Sequence, residues 1–230
     1  MPESELVFLF DVDNTLLDND RVTADLRRYL NREIGPDCAQ EYFDIFEALR
    51  EELGYADYLG ALQRYRNHNP KDPRVLYLSH YLIDYPFANR LYPESLDVLD
   101  HVREFAQVAI LSDGDVVFQP RKVERAGLWS AVEGNVLIYI HKDQQLDDVA
   151  ARFPAEHYVL VDDKLRILDA VKRVWGDRVT TVFPRQGHYA HDPHILATYP
   201  PADITVPRIG ALLDMDRSAF SARPGVGPRI

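Results

Sequence analysis

The chain has 230 residues, 46% of them hydrophobic, which suits one globular domain, alone or with an insertion. Its formal net charge of −11 argues against a nucleic-acid or anionic-membrane partner, because either would require a basic surface. Cys38 is the single cysteine, so no internal disulfide can form, and no apolar run reaches membrane-spanning length. We therefore predict a soluble, cytoplasmic protein.

The first predicted element is a strand over residues 6–10, LVFLF. From residue 18 to residue 91 the apolar residues then show only helical spacing, as in Tyr58, Leu62 and Tyr65. This stretch is too long to be an ordinary connection between two strands. We predict an inserted all-helical subdomain at 18–91.

Four later apolar runs have the length and near-continuous apolar character of strands buried on both faces of a parallel sheet. They are residues 107–112, 135–140, 157–161 and 179–183. Between them, apolar residues recur every third position from Leu96 to Phe105 and from Leu165 to Val174, which predicts amphipathic helices. This alternation is typical of an α/β, doubly wound (Rossmann-like) parallel sheet. The core would comprise residues 1–17 and 92–216, followed by a C-terminal tail at 217–230.

Polar residues follow four of the predicted strands. In chain order they are Asp11 and Asp13, then Ser112, Asp113 and Gly114, then Lys142, and finally Asp162 and Asp163. Because the carboxyl ends of parallel strands meet at one edge of a sheet, we expect these residues to lie close together.

This set of residues predicts a metal-assisted site for an anion. Four carboxylates cannot all ionise side by side without a cation, and oxygen ligands select a hard one such as Mg²⁺. With the metal bound and Lys142 beside it, the site would attract a phosphate dianion despite the acidic protein around it. Ser112 and the backbone amides near Asp113 and Gly114 are candidate ligands for the phosphoryl oxygens.

In these residues the sequence resembles the haloacid-dehalogenase-like hydrolase superfamily. The motifs of that family are an apolar strand followed by DxDxT, a Ser or Thr ending the next strand, a lone Lys, and an acidic pair after another strand. Here they correspond in order to Asp11, Asp13 and Thr15, to Ser112, to Lys142, and to Asp162 and Asp163. The helical insertion lies where the helical cap of the family lies.

The resemblance implies a Mg²⁺-dependent phosphatase that hydrolyses a small phosphorylated metabolite through an aspartyl-phosphate. Asp11 would attack phosphorus, and Asp13 would protonate the leaving oxygen and then activate water. Ser112 and Lys142 would stabilise the transferring phosphoryl group. The dehalogenase branch lacks an acid two residues after its nucleophile, so Asp13 favours phosphate chemistry.

The resemblance also implies a set of metal ligands. They are Asp11, the main-chain carbonyl of Asp13, and Asp163 with help from Asp162. The resemblance leaves open whether Asp162 binds the metal directly or supports a residue that does. Two other functions stay open as well: a phosphomutase that uses the same intermediate, and a non-catalytic scaffold or regulatory protein.

Several charged residues outside these motifs are interpreted as surface. Lys122 follows the second strand, but its helical pattern predicts a solvated side chain, and Lys164 is expected to be solvated or paired with a neighbour. The loop at 185–195 contains three histidines and could border the pocket, although a transition-metal site is the less favoured interpretation. The basic and aromatic residues between Arg64 and His80 are interpreted as ordinary helix surface. The oligomeric state is not indicated.

Overall fold

A six-stranded parallel sheet forms the centre of the computed structural model, which describes residues 4–220. The strands are β1 (Ser4–Phe10), β2 (Gln107–Asp113), β3 (Val136–Tyr139), β4 (Ala155–Val161), β5 (Val179–Pro184) and β6 (Ile204–Val206). Their order across the sheet is β3-β2-β1-β4-β5-β6, and every neighbouring pair is parallel. The predicted α/β doubly wound sheet is therefore confirmed, with β6 as an additional edge strand.

Strand β1 has neighbours on both sides and buries both of its faces. Phe8 and Phe10 pack into one hydrophobic core, whereas Val7 and Leu9 pack into a second core on the opposite face. A strand that contacts two cores needs an apolar residue at every position, because successive side chains point to opposite faces.

Four helices lie between β1 and β2, in the stretch predicted to be helical. They are α1 (Asn19–Glu33), α2 (Pro36–Leu53), α3 (Tyr58–His68) and α4 (Val75–Asp84). Two of them begin at an aspartate whose side chain accepts a backbone hydrogen bond: Asp18 accepts from Arg21, and Asp57 accepts from Gly60. These bonds satisfy amides that the first turn of a helix leaves free.

The chain enters and leaves this helical segment at adjacent positions. Leu17 forms an antiparallel bridge with Leu91, and the amide of Asp18 donates to the carbonyl of Arg90 at 2.7 Å. The side chain of Arg90 in turn donates to the buried carboxylate of Asp25 on α1, at 2.6 Å. The two connections between this segment and the core are thus paired with each other through backbone contacts. The role of the segment as a separate cap over residues 18–91 stays a prediction.

Six further helices pack around the sheet. They are α5 (Ser95–Arg103), α6 (Phe118–Arg125), α7 (Leu128–Ala131), α8 (Leu146–Arg152), α9 (Leu165–Trp175) and α10 (Pro193–Thr198). The two helices predicted from threefold spacing correspond to α5 and α9. No helix within residues 4–220 has both the length and the apolar composition needed to cross a bilayer.

The first four residues of the predicted tail pack against the core. Arg217–Phe220 forms a 3₁₀ turn, and the buried ring of Phe220 lies edge-on to Phe8 with the ring centroids 4.9 Å apart. This part of the predicted tail therefore belongs to the packed protein. Residues 221–230, the remainder of the predicted tail, lie outside the described residues.

Replacing Phe220 with alanine is expected to lower the free energy of unfolding by about 3–5 kcal/mol, because the change leaves a cavity beside Phe8. Urea unfolding followed by circular dichroism measures the effect. Val174→Ala, at an exposed position on α9, is the control and should change stability little. A loss below about 1 kcal/mol for Phe220→Ala would contradict the packing described here.

Candidate active site

The carboxyl ends of β1 and β4 bring three aspartates together. Asp11 follows β1, and Asp162 and Asp163 follow β4. All three are buried, and each offers a carboxylate oxygen within 4.8 Å of the others. Within the described part of the chain, this is the one group of His, Cys, Asp and Glu side chains arranged to hold a metal ion. The three histidines of residues 185–195 form no such group.

Lys142 lies inside this acidic group. Its side chain is only 2% exposed, and its Nζ donates to Asp11 Oδ1 at 2.5 Å and lies 2.7 Å from Asp162 Oδ2. Burial opposes the positive charge, but Asp11 and Asp162 more than offset this effect and raise the pKa of Lys142. Lys142 therefore remains an ammonium that compensates two carboxylates.

The two acids after β4 have different surroundings. Asp162 Oδ1 accepts the amide of Lys164 at 2.8 Å, and its Oδ2, which has no hydrogen-bond partner among the described residues, forms an ion pair with Lys142 at 2.7 Å. By contrast, neither oxygen of Asp163 has a hydrogen-bond partner among the described residues, although both are buried. Burial raises the pKa of Asp162 to about 6, and burial together with Asp162 and Asp11 raises the pKa of Asp163 well above its usual range. Two unpartnered carboxylate oxygens fit a hard divalent cation such as Mg²⁺.

Thr15 connects the two ends of the acidic group. Its buried hydroxyl donates to Asp11 Oδ2 at 3.2 Å and accepts the amide of Asp163 at 3.1 Å. This threonine belongs to the DxDxT motif but is absent from the predicted site residues. It fixes the carboxylate of Asp11 relative to the β4 loop.

The carboxyl end of β2 is held by contacts from two other elements, one from a side chain and one from a backbone amide. Ser112 Oγ accepts from Gln119 Nε2 on α6 at 2.9 Å, and Asp113 Oδ1 accepts the amide of Lys142 at 2.7 Å. The amide of Gly114 donates to the carbonyl of Tyr139 at 2.9 Å. It is therefore not free to bind a phosphoryl oxygen, which differs from the prediction. Gly114 instead permits a close approach, because a Cβ there would lie 2.6 Å from the Cβ of Gln119.

Asp13 is not part of this acidic group and pairs with a second buried lysine. Lys122 Nζ donates to Asp13 Oδ1 at 2.6 Å and to Oδ2 at 2.8 Å, and Lys122 is only 1% exposed. The prediction that Lys122 is solvated is therefore wrong. Helix α6 turns Phe118 and Lys122, one turn apart, towards the protein interior. The polarity of the lysine side chain alone predicts that it faces solvent.

Comparison with known proteins identifies the family. A family model described as haloacid dehalogenase-like hydrolase matches residues 6–174. The chain belongs to this family of hydrolases. A crystal structure of a protein from Burkholderia xenovorans LB400, assigned to the haloacid dehalogenase-like hydrolases, is 62% identical with a TM-score of 0.90. That alignment covers 94% of this chain and 100% of the other.

More distant members of the family share the fold. YfnB from Bacillus subtilis, solved with bound magnesium, is 15% identical with a TM-score of 0.60, over 92% of this chain and 98% of that one. An L-2-haloacid dehalogenase from Xanthobacter autotrophicus is 18% identical with a TM-score of 0.58, over 90% and 96%. No curated protein matches the sequence.

A cavity of about 430 Å³ separates the sheet edge of this hydrolase from the inserted helices. Asp13, Asp113 and Lys164 line its core side together with His188 and Tyr189, so the histidine loop does border the pocket. From the inserted helices it is lined by aromatic and charged residues that include Phe46, Glu47, Arg50, Tyr55 and Tyr58. None of these five is among the predicted site residues, and none of the residues between Arg64 and His80 lines the cavity.

Two residue pairs join the inserted helices to the loop at 185–195 beside this cavity. His188 contacts Asp20 twice, with its Nδ1 2.6 Å from Oδ1 and its amide donating to Oδ2 at 2.8 Å, and Arg50 Nη2 donates to the hydroxyl of Tyr189 at 2.5 Å. Lys164 is half-buried beside Tyr189, with its Nζ 5.6 Å from the ring centroid. Burial works against its charge, but Asp163 and Asp11 raise its pKa overall, so Lys164 presents an ammonium to the cavity.

Replacing Asp163 with asparagine is expected to stabilise the metal-free protein at pH 7.5. Ionising a buried carboxylate that has no partner among the described residues costs free energy, and a neutral amide costs about 1–3 kcal/mol less. The raised pKa of Asp163 sets the sign. The cost is absent below the pKa of the unfolded chain, about 4, and grows as pH rises towards the higher pKa of the folded state.

Thermal unfolding in EDTA measures this effect. The midpoint of Asp163→Asn should exceed that of the wild type at pH 7.5, and the difference should shrink at pH 5. Asp97→Asn, at an exposed position in the first turn of α5, removes the same charge and should lower the midpoint slightly and equally at both pH values, because an acid there interacts favourably with the helix dipole. An Asp163→Asn midpoint below that of the wild type at pH 7.5 would show that the carboxylate is stabilised without a metal.

Proposed function

We propose that this hydrolase is a Mg²⁺-dependent phosphatase that acts on a small phosphorylated metabolite through an aspartyl-phosphate intermediate. The observation that carries the proposal is the position of Asp13. Its carboxyl group lies at the cavity wall, 23% exposed, two residues after the proposed nucleophile Asp11. A phosphate ester needs an acid there because its leaving alkoxide must be protonated, whereas a departing halide needs none.

The proposed reaction has two steps. In the first, a carboxylate oxygen of Asp11 attacks phosphorus, the bond to the leaving oxygen breaks, and Asp13 gives that oxygen its proton. In the second, Asp13 takes a proton from water as the water oxygen attacks phosphorus, which releases orthophosphate and restores Asp11.

Lys142 serves both steps. Its ammonium, 2.5 Å from Asp11, keeps the nucleophile ionised and lies where charge builds up on the phosphoryl oxygens. Ser112, near the carboxyl end of β2, is the proposed hydroxyl ligand for a phosphoryl oxygen. Asp113 contributes through its bond to the amide of Lys142 rather than by contacting substrate.

Asp163 is the proposed direct metal ligand, because both of its buried oxygens lack partners among the described residues. Asp11 and the main-chain carbonyl of Asp13 complete the proposed protein ligands. Asp162, whose oxygens are both engaged, orients Lys142 instead. When bound, Mg²⁺ would neutralise negative charge on the phosphoryl group.

Product analysis with the purified protein tests the proposal. Alkyl, aryl and metabolite phosphates are incubated with Mg²⁺ or with EDTA, and L-2-chloropropionate is tested in parallel. Orthophosphate release that requires Mg²⁺ supports the phosphatase. Chloride release without added metal would instead identify a dehalogenase, and an isomerised phosphate ester without net release would identify a mutase. Silence on all substrates, with no Mg²⁺ binding by calorimetry, would indicate a non-catalytic protein.

The remaining predictions about partners rest on composition. The substrate is a small molecule that fits the cavity, and the acidic surface disfavours nucleic acid and anionic membranes. A cytoplasmic location agrees with the single cysteine.

A further inference from the structure

Lys122 is a buried cation outside the four family motifs. It lies on α6, and its ammonium contacts both oxygens of Asp13 and, at 3.1 Å, the side-chain oxygen of Asn19. The rings of Phe118 and Tyr58 form an apolar wall around it, with centroids 5.3 and 6.0 Å from Nζ. Burying an ammonium is costly unless it is paired, so these contacts hold the lysine in place.

The contacts of Lys122 extend into the inserted helices. Asn19 is the first residue of α1, and its Nδ2 donates to the hydroxyl of Tyr58 at 3.3 Å. The same hydroxyl lies 2.7 Å from Thr23 Oγ1. On the other side, Gln119 Nε2 reaches Ser112 Oγ at 2.9 Å and Asp13 Oδ2 at 3.4 Å. Two residues of α6 therefore hold Asp13: Lys122 connects it to the inserted helices through Asn19, and Gln119 connects it to the end of β2.

We propose that Lys122 is a positioning residue for Asp13, and that its contact with Asn19 makes this positioning depend on the inserted helices. The inference rests on the proposed phosphatase function and deepens it. As the phosphorus–oxygen bond breaks, the proton of Asp13 passes to the leaving oxygen. Lys122 stabilises the carboxylate that remains and holds it at the cavity wall, where it then accepts the proton of the attacking water.

A positioning role predicts an effect that depends on the leaving group. An alkoxide needs a proton in order to depart, whereas 4-nitrophenolate leaves readily without one. The ratio kcat/KM reports the steps up to departure of the leaving group. Loss of Lys122 should therefore reduce kcat/KM for an alkyl phosphate more than for 4-nitrophenyl phosphate. A lysine that only fills space would affect both substrates equally.

The experiment compares wild type, Lys122→Met and the exposed control Lys71→Met on both substrates with Mg²⁺. We expect Lys122→Met to lose at least about tenfold more activity on the alkyl ester than on the aryl ester. Lys71→Met should match the wild type. In an Asp13→Asn background, the further change Lys122→Met should alter kcat/KM on the alkyl ester less than about twofold, because the lysine acts through Asp13.

Two results would overturn the inference: equal losses on both substrates, or losses that add fully to those of Asp13→Asn. If circular dichroism shows that Lys122→Met does not fold, Asn19→Ala replaces it. This variant must also lose more kcat/KM on the alkyl ester than on the aryl ester, but by a smaller factor, because it removes only the third contact of the ammonium. A wild type that releases no orthophosphate would refute the proposed function itself, and the inference with it. An active wild type with unselective variants would refute only the role of Lys122.

Discussion

Asp11→Asn is expected to reduce orthophosphate release by about 10⁴-fold or more while leaving the fold intact. The amide has the shape of the carboxylate but is not a nucleophile, so no aspartyl-phosphate can form. The structure gives no reason for unfolding. The change removes one of three crowded buried carboxylates and leaves Thr15 and Lys142 in place beside it.

Rapid acid quench during turnover, followed by intact mass spectrometry, provides the second measurement for this variant. The wild type should show a fraction with the added mass of one phosphoryl group, and peptide analysis should place it on Asp11. Asp11→Asn should show none, whereas Asp97→Asn should behave as the wild type. Turnover by Asp11→Asn above about 1% of the wild-type rate would mean that another group attacks phosphorus.

The central sheet could be predicted because burial of a strand on both faces requires an unbroken run of apolar residues in its sequence. Val7 and Leu9 face one core and Phe8 and Phe10 the other, so β1 reads as an unbroken apolar run. Strand β6 gives no such signal. Its three residues, Ile204–Val206, lie at the sheet edge and pair with β5 alone, which is too short a stretch for a period to show.

The acidic group could be predicted because the topology sends the ends of β1 and β4 to one edge. The Lys122–Asp13 pair could not, because no local pattern reveals that a lysine on a helix meets a carboxylate more than a hundred residues away. The cavity lining was equally hidden. Whether Phe46, Arg50 and Tyr58 face the site depends on how α2 and α3 are oriented about their axes against the core, and both helices carry aromatic and charged residues on several faces.

Charge balance relates the two buried lysines to the proposed metal. Lys142 compensates Asp11 and Asp162, and Lys122 compensates Asp13, which leaves Asp163 as the acid without a partner among the described residues. Two ammonium groups set against four carboxylates leave an excess of two negative charges, which a divalent ion at Asp163 would cancel. Cancelling this excess is needed before the site can accept a phosphate dianion in a protein whose net charge is −11.

Lys142→Met is expected to lower both activity and stability. Activity on phosphate esters should fall by about 10²–10³-fold, because the ammonium that faces the transferring phosphoryl group is lost. In EDTA at pH 7.5, the free energy of unfolding should fall by about 3–5 kcal/mol, since Asp11 and Asp162 remain buried without their cation. Such a loss is a large fraction of the stability of an ordinary domain.

Two conditions should restore part of the stability of Lys142→Met, and they separate loss of charge from loss of packing. Burial already raises the pKa of Asp162 to about 6 with Lys142 present, and removing the ammonium raises it further. An acid with a raised pKa costs no stability below the pKa of the unfolded chain, about 4, and the cost grows as pH rises towards the folded-state pKa, so the deficit should shrink at pH 5. Added Mg²⁺ should also reduce it by supplying positive charge beside the acids. Lys71→Met should show neither response, and a deficit in Lys142→Met that is independent of both pH and Mg²⁺ would assign Lys142 a packing role alone.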